Sequence, residues 1–245
     1  MTKKGIIAHD DNFVSKTLHK NLEFTAREQY KLLRTNLSFT LPEDETCPVI
    51  GVTSSMRGEG KSTTAINLAY VLAENGKRVL LIDGDLRIPS IAKKLKMKKS
   101  DGLTDLLMTN STEYIKEFDF QHYNNWYIIT SGDLPPNPSE LLGSLRMGKL
   151  LATLKELFDY IIVDLPPVNL VSDALAISKF LSGMILVIRE GNTEKAEFDR
   201  CVRQLKLSNA NILGCVINET NSGKGYYSRY KDKNYYKYAT RGNSK

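Results

Sequence analysis

Three stretches of the chain combine residue types whose spacing can do chemistry. The first is Ser55-Met-Arg-Gly58-Glu-Gly60-Lys61-Ser62, followed by Thr63. Glycines so placed let backbone N–H groups close on phosphate oxygens, and a helix opening at Lys61 would add its partial positive charge. The lysine of such a loop reaches the outer phosphates of a nucleotide, and the serine hydroxyl is a ligand for Mg²⁺. The strict pattern has glycine where this chain has Ser55; Gly58 and Gly60 supply the flexibility instead. Gly58, Glu59, Gly60, Lys61, Ser62 and Thr63 are therefore the candidate nucleotide contacts. The second stretch is Leu80-Leu-Ile-Asp83-Gly-Asp85-Leu-Arg87-Ile-Pro89. Its acids follow an apolar run, where the ligand sites of α/β sheets lie. Asp83 suits a metal shell and Asp85 a proton acceptor, although spacing alone leaves their roles interchangeable. The third is Tyr160-Ile-Ile-Val-Asp164-Leu-Pro166-Pro167, an apolar run ending in a carboxylate suited to a Mg²⁺ shell.

The elements that must position these groups alternate. Short apolar runs at Val49–Thr53, Val79–Ile82, Trp126–Thr130, Tyr160–Val163, Met184–Ile188 and Ile212–Ile217 read as strands. Most are continuous rather than alternating, as expected of strands covered on both faces. Between them, Lys61–Asn75, Arg146–Leu157, Asp173–Phe180 and Glu194–Leu207 carry helical periodicity, and Gly76 stops the first. An earlier helix over 26–38 places Tyr30, Leu33 and Leu37 on one face. Such alternation predicts an α/β fold with a mostly parallel central sheet and helices on both faces. Ser139 is a candidate cap for a helix starting near Glu140. The run Lys93-Lys94-Leu-Lys96-Met-Lys98-Lys99 reads as a solvated helix face or a phosphate patch. Glu28, Lys31 and Arg34 form either exposed i, i+3 pairs or a charged contact between subunits. Asn218, ending the last strand, is a candidate contact for the nucleotide base.

Composition narrows the class. The chain has 245 residues, 41% hydrophobic and 25% charged, enough for a sizeable core. No apolar run approaches the roughly 20 residues of a membrane span, and the first residues are too polar for a secretory signal. Cys47, Cys201 and Cys215 lack the spacing of a disulfide framework or a zinc site, so a cytoplasmic location is expected. The net charge of +6 is concentrated at one end, because residues 221–245 hold seven bases and one acid. That segment also holds Tyr226, Tyr227, Tyr230, Tyr235, Tyr236 and Tyr238, half of the chain's 12 tyrosines. With Ala239 as its one aliphatic residue, it is expected to be a flexible tail. The expected organisation is an N-terminal arm and oligomerisation helix over 1–48, a core over 49–220, and a disordered tyrosine-rich tail over 221–245.

These motifs together resemble the bacterial protein-tyrosine kinases of capsule and exopolysaccharide synthesis. The resemblance spans roughly residues 26–240: the Glu28-to-Asn36 helix, the Gly58–Ser62 loop, Asp83-x-Asp85-x-Arg87-x-Pro89, Ser131-Gly-x-x-Pro-Pro-Asn-Pro-x-Glu-Leu-Leu, Asp164-x-Pro-Pro and the tyrosine cluster. It implies a P-loop NTPase-like core that uses ATP and Mg²⁺ to autophosphorylate the tail tyrosines in trans, within a homo-oligomeric ring. Lys61 matches the phosphate-binding lysine and Ser62 the Mg²⁺ ligand; Asp83, Asp85 and Asp164 match the acids of the site. It also implies recruitment to the inner face of the plasma membrane, an activating membrane protein whose cytoplasmic tail completes the site, a cognate tyrosine phosphatase, and exogenous protein substrates. The family's contact motif, Glu-x-x-Arg-x-x-Arg, appears here as Glu28-x-x-Lys31-x-x-Arg34, and lysine lacks the guanidinium fork.

Two rival readings differ in kind. A partitioning or positioning switch ATPase shares the loop and the acid pair, but its signature lysine is replaced here by Met56. A non-enzymatic nucleic-acid binder would use the tail's tyrosines for stacking. A nearly neutral body argues against it, and no nucleic-acid partner is expected.

Overall fold

The computed structural model describes residues 21–97, 100–108 and 121–220. Its centre is a seven-stranded sheet in the order β3-β4-β2-β5-β1-β6-β7. The strands are β1 (Val49–Ser54), β2 (Val79–Asp83), β3 (Gln121–Tyr123), β4 (Trp126–Ile129), β5 (Tyr160–Asp164), β6 (Gly183–Arg189) and β7 (Ile212–Asn218). Six run parallel; β3 pairs antiparallel with β4 through a turn at Asn124, whose φ of 53° is left-handed. That short strand has no strong apolar signature, which is why sequence periodicity misses it.

The side-chain alternation of the strands divides the core in two. Val49, Leu80, Ile82, Ile161, Val163 and Leu186 face one cluster, while Ile50, Val52, Leu81, Ile162, Ile185 and Val187 face the other. The first is covered by α4 (Leu103–Met108), α5 (Pro138–Leu142), α6 (Leu145–Lys155), α7 (Asp173–Ile177) and α8 (Lys195–Leu207). The second is covered by α1 (Phe24–Thr40), α2 (Lys61–Glu74) and α3 (Ile91–Lys94). Burial on both faces is what makes the inner strands read as unbroken apolar runs. The lone tryptophan, Trp126, is buried edge-on against Tyr70, with ring centroids 5.7 Å apart.

Helix α1 reaches further than its periodicity predicts and docks on α2, where Arg34 Nη1 donates to the Val71 carbonyl at 2.9 Å. The predicted Asp173–Phe180 helix is α-helical only to Ile177 and finishes as a 3₁₀ turn over Ser178–Phe180. Strand β7 departs from the expectation of double coverage: it is an edge, partly exposed along its length, with Ile217 facing solvent. Among the described residues no helix is long and apolar enough to cross a membrane.

Candidate active site

Parallel strands deliver their carboxyl ends to one edge. There the loop after β1 enters α2, and Asp83 lies in register with Asp164 at the ends of β2 and β5. Gly58 and Gly60 have φ of 81° and 99°, the left-handed region that glycine adopts without steric cost. At Gly60 the tertiary structure also forbids a side chain, since a Cβ would stand 1.9 Å from Asn218 Nδ2. Asn218 donates to the Glu59 carbonyl at 3.1 Å, so the end of β7 props the loop.

The departure at Ser55 has a structural role. Its hydroxyl donates to both oxygens of the fully buried Glu59 carboxylate, at 2.8 and 2.9 Å. Met56 N donates to Glu59 Oε2 at 2.9 Å, and the Thr193 hydroxyl donates to Oε1. The Glu59 carboxylate is thus the internal strut of the loop.

The cavity at this edge holds about 550 Å³. Gly58, Gly60, Lys61, Ser62, Thr63, Asp85 and Asn218 line it, which brings together candidates drawn from three distant stretches of sequence. Lys61 Nζ pairs with Asp85 Oδ2 at 2.9 Å and lies 3.7 Å from Asp164 Oδ1. Asp83 and Asp164 lie beneath it, fully buried. Asp83 Oδ2 accepts from Ser90 N and Ile91 N at 3.1 and 3.0 Å, but Asp83 Oδ1 and both oxygens of Asp164 have no hydrogen-bond partner. Burial, then the neighbouring Asp164 charge, pushes the Asp83 carboxyl up to about 7. Burial likewise raises Asp164, against the pull of Lys61. Burial would pull the Lys61 ammonium down, but Asp164 and Asp85 outweigh it and hold it above its ordinary range.

Three orphaned carboxylate oxygens beside a serine hydroxyl are a donor set of hard oxygens, the kind Mg²⁺ takes. Among the described residues no group of three or more His, Cys, Asp and Glu could enclose a metal by itself. Mg²⁺ keeps waters and phosphate oxygens in its shell, so two protein carboxylates and a hydroxyl fit it.

Sequence reasoning gave no role to Arg57, Arg87 or Asp173, and offered Lys94 only within a run read as a solvated face or a phosphate patch. Arg57, Arg87 and Lys94 also line the cavity. Lys94 Nζ donates to the Thr63 hydroxyl at 3.2 Å, so one lysine of the basic run faces the site rather than solvent; Lys98 and Lys99 lie outside the described residues. Asp173, fully buried at the start of α7, holds Arg87. The expected cap also differs. Helix α5 begins at Pro138 after Asn137, and Ser139 lies inside it, donating to Asp173. Proline at the first helical position sets φ without sacrificing a needed N–H, which moves the start ahead of the serine. On α1, Lys31 pairs with Glu28 at 2.8 Å within the same exposed face, while Arg34 is committed to α2. The six tail tyrosines lie outside the described residues.

Residues 47–220 match the family model described as an AAA domain. The chain is 36% identical over 222 residues to the tyrosine-protein kinase YwqD of Bacillus subtilis, covering 88% of this chain and 91% of that one. It is 36% identical to the tyrosine-protein kinase CpsD of Streptococcus pneumoniae, covering 82% and 88%. The chain belongs to the bacterial tyrosine-protein kinases. The kinase also superimposes on the kinase domain of Escherichia coli tyrosine kinase ETK with a TM-score of 0.71 at 31% identity, over 81% of this chain and 79% of that one. The chimerical protein CapA2B2 gives 0.71 at 35%, over 78% and 83%. A ParA family ATPase from Chlorobium tepidum is similar at a TM-score of 0.62 but only 19% identical, a likeness of fold alone. The kinase therefore has a P-loop NTPase-like core, and its family implies ATP binding.

Proposed function

We propose that this kinase transfers the γ-phosphoryl group of ATP to its own C-terminal tyrosines, acting in trans within a homo-oligomer, and so regulates capsule or exopolysaccharide synthesis. The observation that carries this reading is the meeting of Lys61, Ser62 and Asp85 on the wall of one cavity, with Asp83 and Asp164 buried beneath Lys61, in a chain that matches a tyrosine-protein kinase over 91% of that relative's length. The loop N–H groups and the N-terminus of α2 hold the phosphates. Lys61 exchanges its bond to Asp85 for the β- and γ-phosphates, leaving the Asp85 carboxylate free. A tyrosine hydroxyl oxygen then bonds to the γ-phosphorus as the bond to the β-bridging oxygen breaks, and its proton passes to Asp85 or Asp83. Ser62, Asp83 and Asp164 are the residues that would hold Mg²⁺, which when bound neutralises charge on the phosphates.

The basic tail suits an anionic, nucleotide-filled site, and each phosphotyrosine would add about −1.5 to −2 charge to it. An activating membrane protein and peripheral recruitment to the membrane belong to the same proposal, as does a subunit contact through Glu28, Lys31 and Arg34.

The test is a mass spectrum of the C-terminal peptides after incubation with MgATP, with and without the cytoplasmic tail of a candidate activator. Phosphate on residues 226–238, absent from Lys61→Ala, is expected. Measurable ATP hydrolysis without phosphopeptides would overturn the kinase reading in favour of a switch ATPase.

A further inference from the structure

The segment between β2 and α3 carries Asp85 but has no regular structure of its own from Gly84 to Ser90. Its inner side is bound at Asp85, which accepts from Ile88 N through Oδ1 at 3.0 Å and from Lys61 through Oδ2. Its outer side is bound at Arg87. The guanidinium donates from Nε to Asp173 Oδ2 at 2.9 Å and from Nη2 to Asp173 Oδ1 at 3.0 Å, the bidentate fork that lysine cannot reproduce. Nη2 also reaches the Ser139 hydroxyl at 3.3 Å. Ser139 in turn donates to Asp173 and lies 3.0 Å from the Ser172 hydroxyl. Both Asp173 oxygens are therefore used, in a residue with no exposed surface. Neither Asp173 nor Ser139 lines the nucleotide cavity, whereas Arg87 stands at its rim.

We propose that Asp173 and Ser139, acting through Arg87, are positioning residues that set where the Asp85 carboxylate stands relative to Lys61 and the transferred phosphoryl group. The clamp joins the Asp85 segment to two helices, α5 and α7, which pack on each other and on the sheet. Gly84 N on the Asp164 carbonyl at 2.8 Å and the buried Leu86 already fix the segment on the sheet side, and the clamp adds the restraint toward α5 and α7. Displacing a reacting group by about 1 Å can cost around a hundredfold in rate. The clamp also bears on ATP affinity. In the nucleotide-free protein Asp85 holds Lys61, so loosening Asp85 releases the lysine and removes a competing state. A failing clamp therefore slows transfer without weakening ATP, a signature that a merely structural role would not produce.

This inference rests on the phosphoryl-transfer reading of the site. The experiment uses the full chain and its Ser139→Ala, Arg87→Lys and Asp173→Asn variants, following tail phosphorylation, ATP affinity and melting temperature. Ser139→Ala should lower kcat about tenfold and tighten Kd for ATP a few-fold, and Arg87→Lys should lower kcat to a similar degree. In an Asp85→Ala background, Ser139→Ala should leave Kd for ATP unchanged, because the residue it acts through is gone. An unchanged kcat, or ATP binding that weakens in step with melting temperature, would overturn the proposal. So would an effect of Ser139→Ala on Kd that persists without Asp85. Should Asp173→Asn not fold, the other two variants carry the test. Wild-type protein that hydrolyses ATP without labelling tyrosine would refute the kinase reading, while the affinity comparison would still decide on the clamp.

Discussion

The Lys61 cluster and the Arg87 cluster border the same cavity, and each joins a cation to a buried carboxylate. They differ in how completely the carboxylates are satisfied. Around Arg87, one aspartate meets a guanidinium fork and a serine hydroxyl, and both of its oxygens are used. Around Lys61, one ammonium faces Asp85 and Asp164, with Asp83 behind, and three carboxylate oxygens are left without a hydrogen bond. Buried polar groups are normally paired, since an orphaned group retains its full desolvation cost. The saturated cluster is therefore scaffold. The unsaturated one keeps carboxylate oxygens that its own protein does not hydrogen-bond, which is the state of a site made for a cation and the nucleotide it accompanies. The lesson is that the two roles are separated by hydrogen-bond completeness rather than by residue type, because both clusters are built from a base and aspartates.

Three measurements would break or sharpen that contrast. The largest effect is expected from ligand. A magnesium nucleotide at about a hundred times its Kd should stabilise the protein by about 2.7 kcal/mol. Thermal melts read this, and Lys61→Ala should lose most of the shift. Melts indifferent to nucleotide would mean that the open cluster is not a binding site.

Next comes the same acid-to-amide change made in each cluster. Asp173→Asn removes part of a charge-assisted network and should cost about 2 kcal/mol, as a shift of the denaturation midpoint. The loss is limited because the Arg87 side chain is 40% exposed and regains water. Asp83→Asn should have the opposite sign at pH 8 without nucleotide, a gain of about 1–2 kcal/mol. Its carbonyl can keep the Ser90 and Ile91 N–H groups while its amide faces Asp164. Equal signs in the two variants would dissolve the distinction between the clusters.

The last measurement is the pH profile of the nucleotide-free protein. Asp83 keeps its proton up to about pH 7 when folded. The unfolded chain releases the same proton near pH 4. Between these values the folded state binds more protons, so this contribution to stability is full at low pH and is lost as pH rises through 7. Urea midpoints at pH 5 and pH 8 should show the decline, and Asp83→Asn should flatten it. A wild-type profile that rises over this range would contradict the burial of an unneutralised Asp83.

What could be read from sequence was what depends on neighbours in the chain. The phosphate loop, its strand and its helix are contiguous, and Asp83 and Asp164 each close an apolar run, so their types and order announced both fold class and site. The departure at Ser55 was visible but not its meaning, since that required knowing that Glu59 folds back beneath it. Strand β3 was missed because pairing with β4 demands little of its composition. The pairings that hold the site together were beyond sequence reading. Asn218 meets Glu59 across 159 positions, and Asp173 meets Arg87 across 86. Neither Ser139 nor Asp173 stands in a spacing that chemistry alone would mark. Strand order, with β5 inserted between β1 and β2, is what sets Asp164 beside Asp83. Local residue order thus determined which groups could bind phosphate. Only long-range packing decided which acids would be left unsatisfied and which saturated, because burial and hydrogen-bond partners come from segments that meet only in the folded chain.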